Sequence, residues 1–116
     1  MSVLIGKKAE TLALHYLQQQ GLKLIECNFH SRRGEIDLIM QTVSQLVFVE
    51  VRYRKHQDFG HPAETVTFYK QTKLLKAAHD YLHKTPALQN IDYRFDVVCI
   101  VGTSNTQVEW IQNAFS

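Results

Sequence analysis

Two short charged islands in apolar surroundings decide how this chain is read: Gly34-Glu35-Ile36-Asp37-Leu38-Ile39 and Phe48-Val49-Glu50-Val51-Arg52. Both have the residue types of β-strands, in which side chains two apart share a face. Glu35 and Asp37 are therefore expected to point one way, as are Glu50 and Arg52. If the strands are neighbours, three carboxylates and a guanidinium converge. Burying a carboxylate in an apolar strand costs on the order of several kcal/mol unless it is paired or metal-bound. Ion pairs among Glu50, Arg52, Glu35, Asp37 and Asp96 would answer that for any single residue, whereas the whole constellation points to a cation site. Hard divalent cations such as Mg²⁺ or Mn²⁺ take oxygen ligands and keep several waters, and they serve phosphoryl transfer.

Outward from these islands, Ala9, Leu12, Ala13, Tyr16 and Leu17 recur at helical spacing, and Gly21 suits a helix end, which predicts a helix over roughly residues 3–20. Residues 22–29 and 35–40 read as a hairpin joined by a turn at 31–34, and 46–53 as a central strand. Residues 55–64, with Gly60 and Pro62, read as a long loop. A second helix is expected over about 66–84, with Leu74, Leu75, Ala78, Tyr81 and Leu82 as its apolar stripe and Pro86 preventing continuation. Two strands follow, 93–101 and a short one at 107–111. The expected product is one α/β domain over residues 1–116, a mixed sheet flanked by helices.

The 116 residues suffice for one core, and 45% hydrophobic with 21% charged residues excludes disorder or a fibrous repeat. No apolar run is long enough for a membrane span, and the N-terminal residues lack signal-peptide organisation, so a cytoplasmic location without membrane partners is expected. A formal charge of +2 is too small to argue for a polyanionic partner. Its distribution says more, because Arg32, Arg33, Lys70, Lys73 and Lys76 are placed to meet phosphates around the acidic islands. Cys27 and Cys99 are expected to pack as reduced thiols, and Trp110 to cap the core. His79 and His83 stand one helical turn apart without a third zinc ligand, and are expected at the surface. His56 and His61 fall in the long loop.

Gly6-Lys7-Lys8-Ala9-Glu10, Arg33 to Ile39, Val47 to Arg52, Arg94-Phe95-Asp96-Val97-Val98 and the ending from Trp110 to Phe115 resemble the motifs of the YraN-like family of small bacterial proteins. The resemblance spans nearly the whole chain. That family is similar to archaeal Holliday-junction resolvases and other nucleases of the PD-(D/E)xK superfamily. The resemblance implies a restriction-endonuclease-like αβββαβ core and a Mg²⁺- or Mn²⁺-dependent nuclease acting on structured or branched DNA, by analogy as a homodimer. It makes Glu10, Asp37 and Glu50 metal ligands, with Glu35 a supporting or alternate ligand. Arg52 occupies the place of the motif lysine.

That last position is a departure. A lysine can orient or deprotonate the attacking water, whereas arginine stays protonated and offers only charge and hydrogen bonds. Lys70, from the second helix, is placed to reach in instead. A nucleic-acid-binding module that keeps the fold and has lost the chemistry is the alternative reading, and a protein-interaction domain on the same fold is a third.

Overall fold

A computed structural model of the chain describes residues 3–56 and 66–115, with side chains from residue 6 onward. The loop expected at 55–64, including His61, lies almost wholly outside the described residues. Helix α1 (Val3–Gln19) is followed by β1 (Lys23–Ser31), β2 (Gly34–Gln41) and β3 (Gln45–Arg54). Then come α2 (Phe68–Lys84), a 3₁₀ turn at Pro86–Leu88, β4 (Asp92–Val101) and β5 (Gln107–Phe115). The strands lie in the order β1-β2-β3-β4-β5, antiparallel throughout except for the parallel pair β3–β4, whose crossover carries α2. This is the expected mixed sheet between helices, and it is consistent with an αβββαβ restriction-endonuclease-like core.

Each helix buries one stripe on one face of the sheet. On one side Ala9, Ala13 and Leu17 of α1 meet Val47, Val49, Val98 and Ile100, and the two alanines let the helix sit close. On the other, Leu74, Ala77, Ala78 and Tyr81 of α2 meet Ile39, Phe48 and Phe95. Central strand β3 is covered on both faces, which accounts for its unbroken burial from Leu46 to Val51. Gly21, at φ 96°, ends α1, where the Leu22 N–H reaches Leu17 O at 3.1 Å and the Gly21 N–H reaches Gln18 O at 3.0 Å. Thr67 caps α2 by accepting from the Lys70 N–H at 3.2 Å.

Two expectations change. Cys27 is exposed, because β1 is an edge strand whose register slips between Leu24 and Glu26, while Cys99 is buried as expected. Strand β5 runs on to Phe115 rather than stopping at Ile111. The polar Gln112 and Asn113 interrupt its apolar pattern, but Asn113 takes φ 52° and donates its N–H to buried Asp96 at 2.9 Å, so pairing resumes at Phe95–Phe115.

Candidate metal centre and phosphate groove

The acidic centre is built where β2 and β3 part. Their ladder runs from Gln41–Leu46 to Leu38–Val49 and ends there. Past that point the Val51 N–H donates to the Asp37 carboxylate at 2.8 Å, so a side chain takes the place of a backbone carbonyl. Ile36 packs in the α2-side core and Leu38 in the α1-side core although they are two residues apart, so facing slips by one at Asp37. Between the flanking pairs Cys27–Leu38 and Phe29–Ile36, β1 places Asn28 at φ 53°, a left-handed conformation that asparagine tolerates better than most residues. Both strands bend at one level, and the Asp37 carboxylate is delivered into the gap between β2 and β3.

Glu50 comes from β3 on the α2 side and is only 3% exposed. Arg52 Nη1 lies 3.3 Å from its carboxylate and Lys70 Nζ 3.8 Å, so one carboxylate faces two cations. Burial nevertheless pushes the Glu50 carboxyl up to about 8, with the neighbouring Asp37 charge and a hydrogen bond to it acting in the same direction. Glu10 faces the centre from α1 and its carboxyl is also raised, first by burial and then by the charge of Asp37, with an Asn28 hydrogen bond opposing. Glu35 is exposed and pairs with His30 Nδ1 at 3.1 Å. Among the described residues, no three His, Cys, Asp or Glu side chains already stand together closely enough to hold an ion. Asp37 and Glu50 are in contact, and Glu10 is near enough to feel the Asp37 charge.

The donor set nonetheless fits a hard divalent cation. Burial first, and then the neighbouring Asp37 charge, disfavours a charged Glu50 carboxylate, and a cation between the two carboxylates would offset both penalties. Asp96, weighed above as a partner for Arg52, serves elsewhere. It lies on the α1 face and is fully buried, accepting from Arg94 Nε at 3.0 Å and from Trp110 Nε1 at 2.8 Å. Trp110 thus does more than cap the core, since it ties β5 to that carboxylate and meets Tyr16 edge-on.

The basic residues divide. Arg32, Arg33, Lys70 and Lys73 line a groove of about 310 Å³ between the β1–β2 turn and α2, with Glu35 on its edge. Arg33 is held there by Asp80, with Nη2 at 2.6 Å and Nε at 3.3 Å from the carboxylate. Lys73 Nζ sits 4.8 Å over the Tyr69 ring, while Lys76 is exposed farther along the helix and does not line the groove. Gly34 makes the close approach possible, because a Cβ there would stand 2.6 Å from the Lys73 carbonyl oxygen. Sequence reasoning missed Asn28 and His30. An asparagine inside a strand run was the available signal for the first, and nothing marked the second.

A mixed α/β sandwich with a carboxylate gap in its sheet is thus the class of protein that fold and geometry define. The chain belongs to the family described as Uncharacterised protein family UPF0102, which it matches over residues 9–100 and which is the YraN-like grouping suggested by the motifs. It is similar to a UPF0102 protein of Coxiella burnetii (strain RSA 331 / Henzerling II), with 53% identity over 110 residues, 95% of this chain and 90% of that protein. A UPF0102 protein of Vibrio parahaemolyticus is 49% identical over 112 residues, 97% of this chain and 92% of its own length. One from Legionella pneumophila is 47% identical over 110 residues, 95% and 92% of the two chains. Among the described residues, no helix is long and apolar enough to cross a membrane.

Proposed function

We propose that the chain is a divalent-metal-dependent nuclease acting on structured or branched DNA, in the manner of a resolvase. The observation that carries this reading is the buried Glu50 carboxylate against Asp37, flanked by Arg52 and Lys70 at 3.3 and 3.8 Å. A merely structural ion pair has no use for a second carboxylate that raises the first. Asp37 and Glu50, with Glu10 from α1, would hold Mg²⁺ or Mn²⁺. When bound, such a cation supplies positive charge at a phosphate oxygen and acidifies a water. Arg52 and Lys70 would hold the other phosphate oxygens and stabilise charge that develops on them, which needs no proton transfer from either. Arg32, Arg33 and Lys73 would track the backbone away from the centre, with Lys76 a more distant contact. A two-fold homodimer would suit cutting of paired strands.

The test is a Mn²⁺ titration by calorimetry of wild type and Asp37→Ala, alongside cleavage of linear, forked and four-way DNA. Binding in the wild type that falls at least about tenfold in the variant supports the site. Equal binding in both sinks it. A second reading, a nucleic-acid-binding module without catalysis, is favoured by Arg52 and by the lack, among the described residues, of three carboxylates already gathered as a ligand set. It predicts DNA binding with no cleavage of any substrate.

A further inference from the structure

Helix α2 opens with two aromatic residues that the fold leaves in solvent, Phe68 at 83% and Tyr69 at 69% exposure. Helix formation does not ask for them. Thr67 provides the cap, and the buried stripe begins only at Leu74. Single exposed apolar residues are ordinary, but two adjacent large rings beside a cation row are a composed surface. Lys73 Nζ lies 4.8 Å over the Tyr69 ring, and Lys73 and Lys70 together form the α2 wall of the groove opposite Arg32 and Arg33. Lys70 also reaches Glu50, so this wall leads from the exposed rings to the acidic centre.

Cations that follow a backbone, with a flat ring alongside, are what a single strand requires. Phosphates meet the lysines, and the ring takes a base face that a duplex keeps stacked inside. We infer that Tyr69, with Phe68 beside it, is a stacking platform for unpaired bases of a nucleic-acid strand whose backbone lies along the Lys70–Lys73 groove. This rests on the nucleic-acid reading above and narrows it to strands with unpaired bases next to Glu50, as at a fork or junction. The charge of the groove favours this occupant over a protein partner.

The experiment measures anisotropy of a labelled thymidine oligonucleotide of about 20 nucleotides, and of a blunt duplex of equal length, over a salt series with the full chain. Tyr69→Ala should bind the single strand about 5- to 100-fold more weakly, the loss expected for one stacked base. Duplex affinity should change less than about twofold, and Tyr69→Trp should retain single-strand binding. The salt slope of Tyr69→Ala should match wild type, because stacking releases no counterions, whereas Lys70→Ala/Lys73→Ala should flatten it by about 1.4 units. Circular dichroism controls for folding, which exposed positions should not disturb. Normal, salt-dependent binding that ignores Tyr69→Ala and Phe68→Ala/Tyr69→Ala overturns this inference and leaves the nucleic-acid reading standing. Absence of binding to both probes overturns the two together. If Phe68→Ala/Tyr69→Ala instead dissociates an oligomer in sedimentation velocity while oligonucleotide binding persists, the patch is a protein interface and the inference fails.

Discussion

In the folded chain the Glu50 carboxyl keeps its proton up to about pH 8, while in the unfolded chain it sheds it near 4.5. A folded-state value raised above the unfolded one means that the native state holds more protons through that window, so stability falls as pH rises across it. Glu50→Gln keeps the shape without the charge. It should be more stable than wild type by about 2–4 kcal/mol at pH 8, with the difference fading towards about pH 4.5, as urea denaturation at the two pH values will read. Equal stability at both would mean that Glu50 is not held protonated. Metal binding is linked to the same proton, so Mn²⁺ affinity should rise between about pH 6 and 8. Arg52→Lys bears on the neighbouring cation. A compact ammonium whose charge can be tuned should raise single-turnover cleavage of junction DNA, and absence of cleavage in both proteins would favour the binding module.

The hairpin of β1 and β2 is held to α2 by a glycine and an ion pair. Gly34→Ala would put a methyl group against the Lys73 carbonyl, backbone against backbone, so one element must retreat. A loss of about 1–3 kcal/mol in thermal or urea unfolding is expected, with a weaker hold on nucleic acid because the groove widens. An unchanged melting temperature would show that the hairpin and helix are free to separate. This contact was invisible in the sequence, where 31–34 read simply as a turn. The elements themselves were legible, since helix α1, the hairpin, β3, α2 and β4 all carry periodicity that survives without knowledge of neighbours. Asp37 and Glu50 were legible as charges in apolar runs. What could not be read was the slip at Asp37, because strict alternation assumes an unbent strand and Asn28 bends its partner. Nor could the pairing of Arg33 with Asp80, 47 positions apart, be read from local pattern.

At the scale of the molecule, both outer strands carry a bend: Asn28 in β1 and Asn113 in β5 have positive φ, and each strand has a register slip. Such edges resist pairing with another chain. The proposed homodimer, if it forms, should therefore use helix or loop surfaces. Replacing a β1 edge residue such as Glu26 by lysine should leave the sedimentation coefficient unchanged, and a shift would place the contact on that edge. The Trp110–Asp96 bond has a use of another kind. The chain has one tryptophan, and its indole is anchored on the α1 face, away from the groove beside α2. Its emission is consequently a built-in optical gauge of the β4–β5 anchorage. It should stay constant as an oligonucleotide docks against α2 and change only when the fold itself lets go, so unfolding can be followed without an added dye while a labelled oligonucleotide reports binding in the same cuvette.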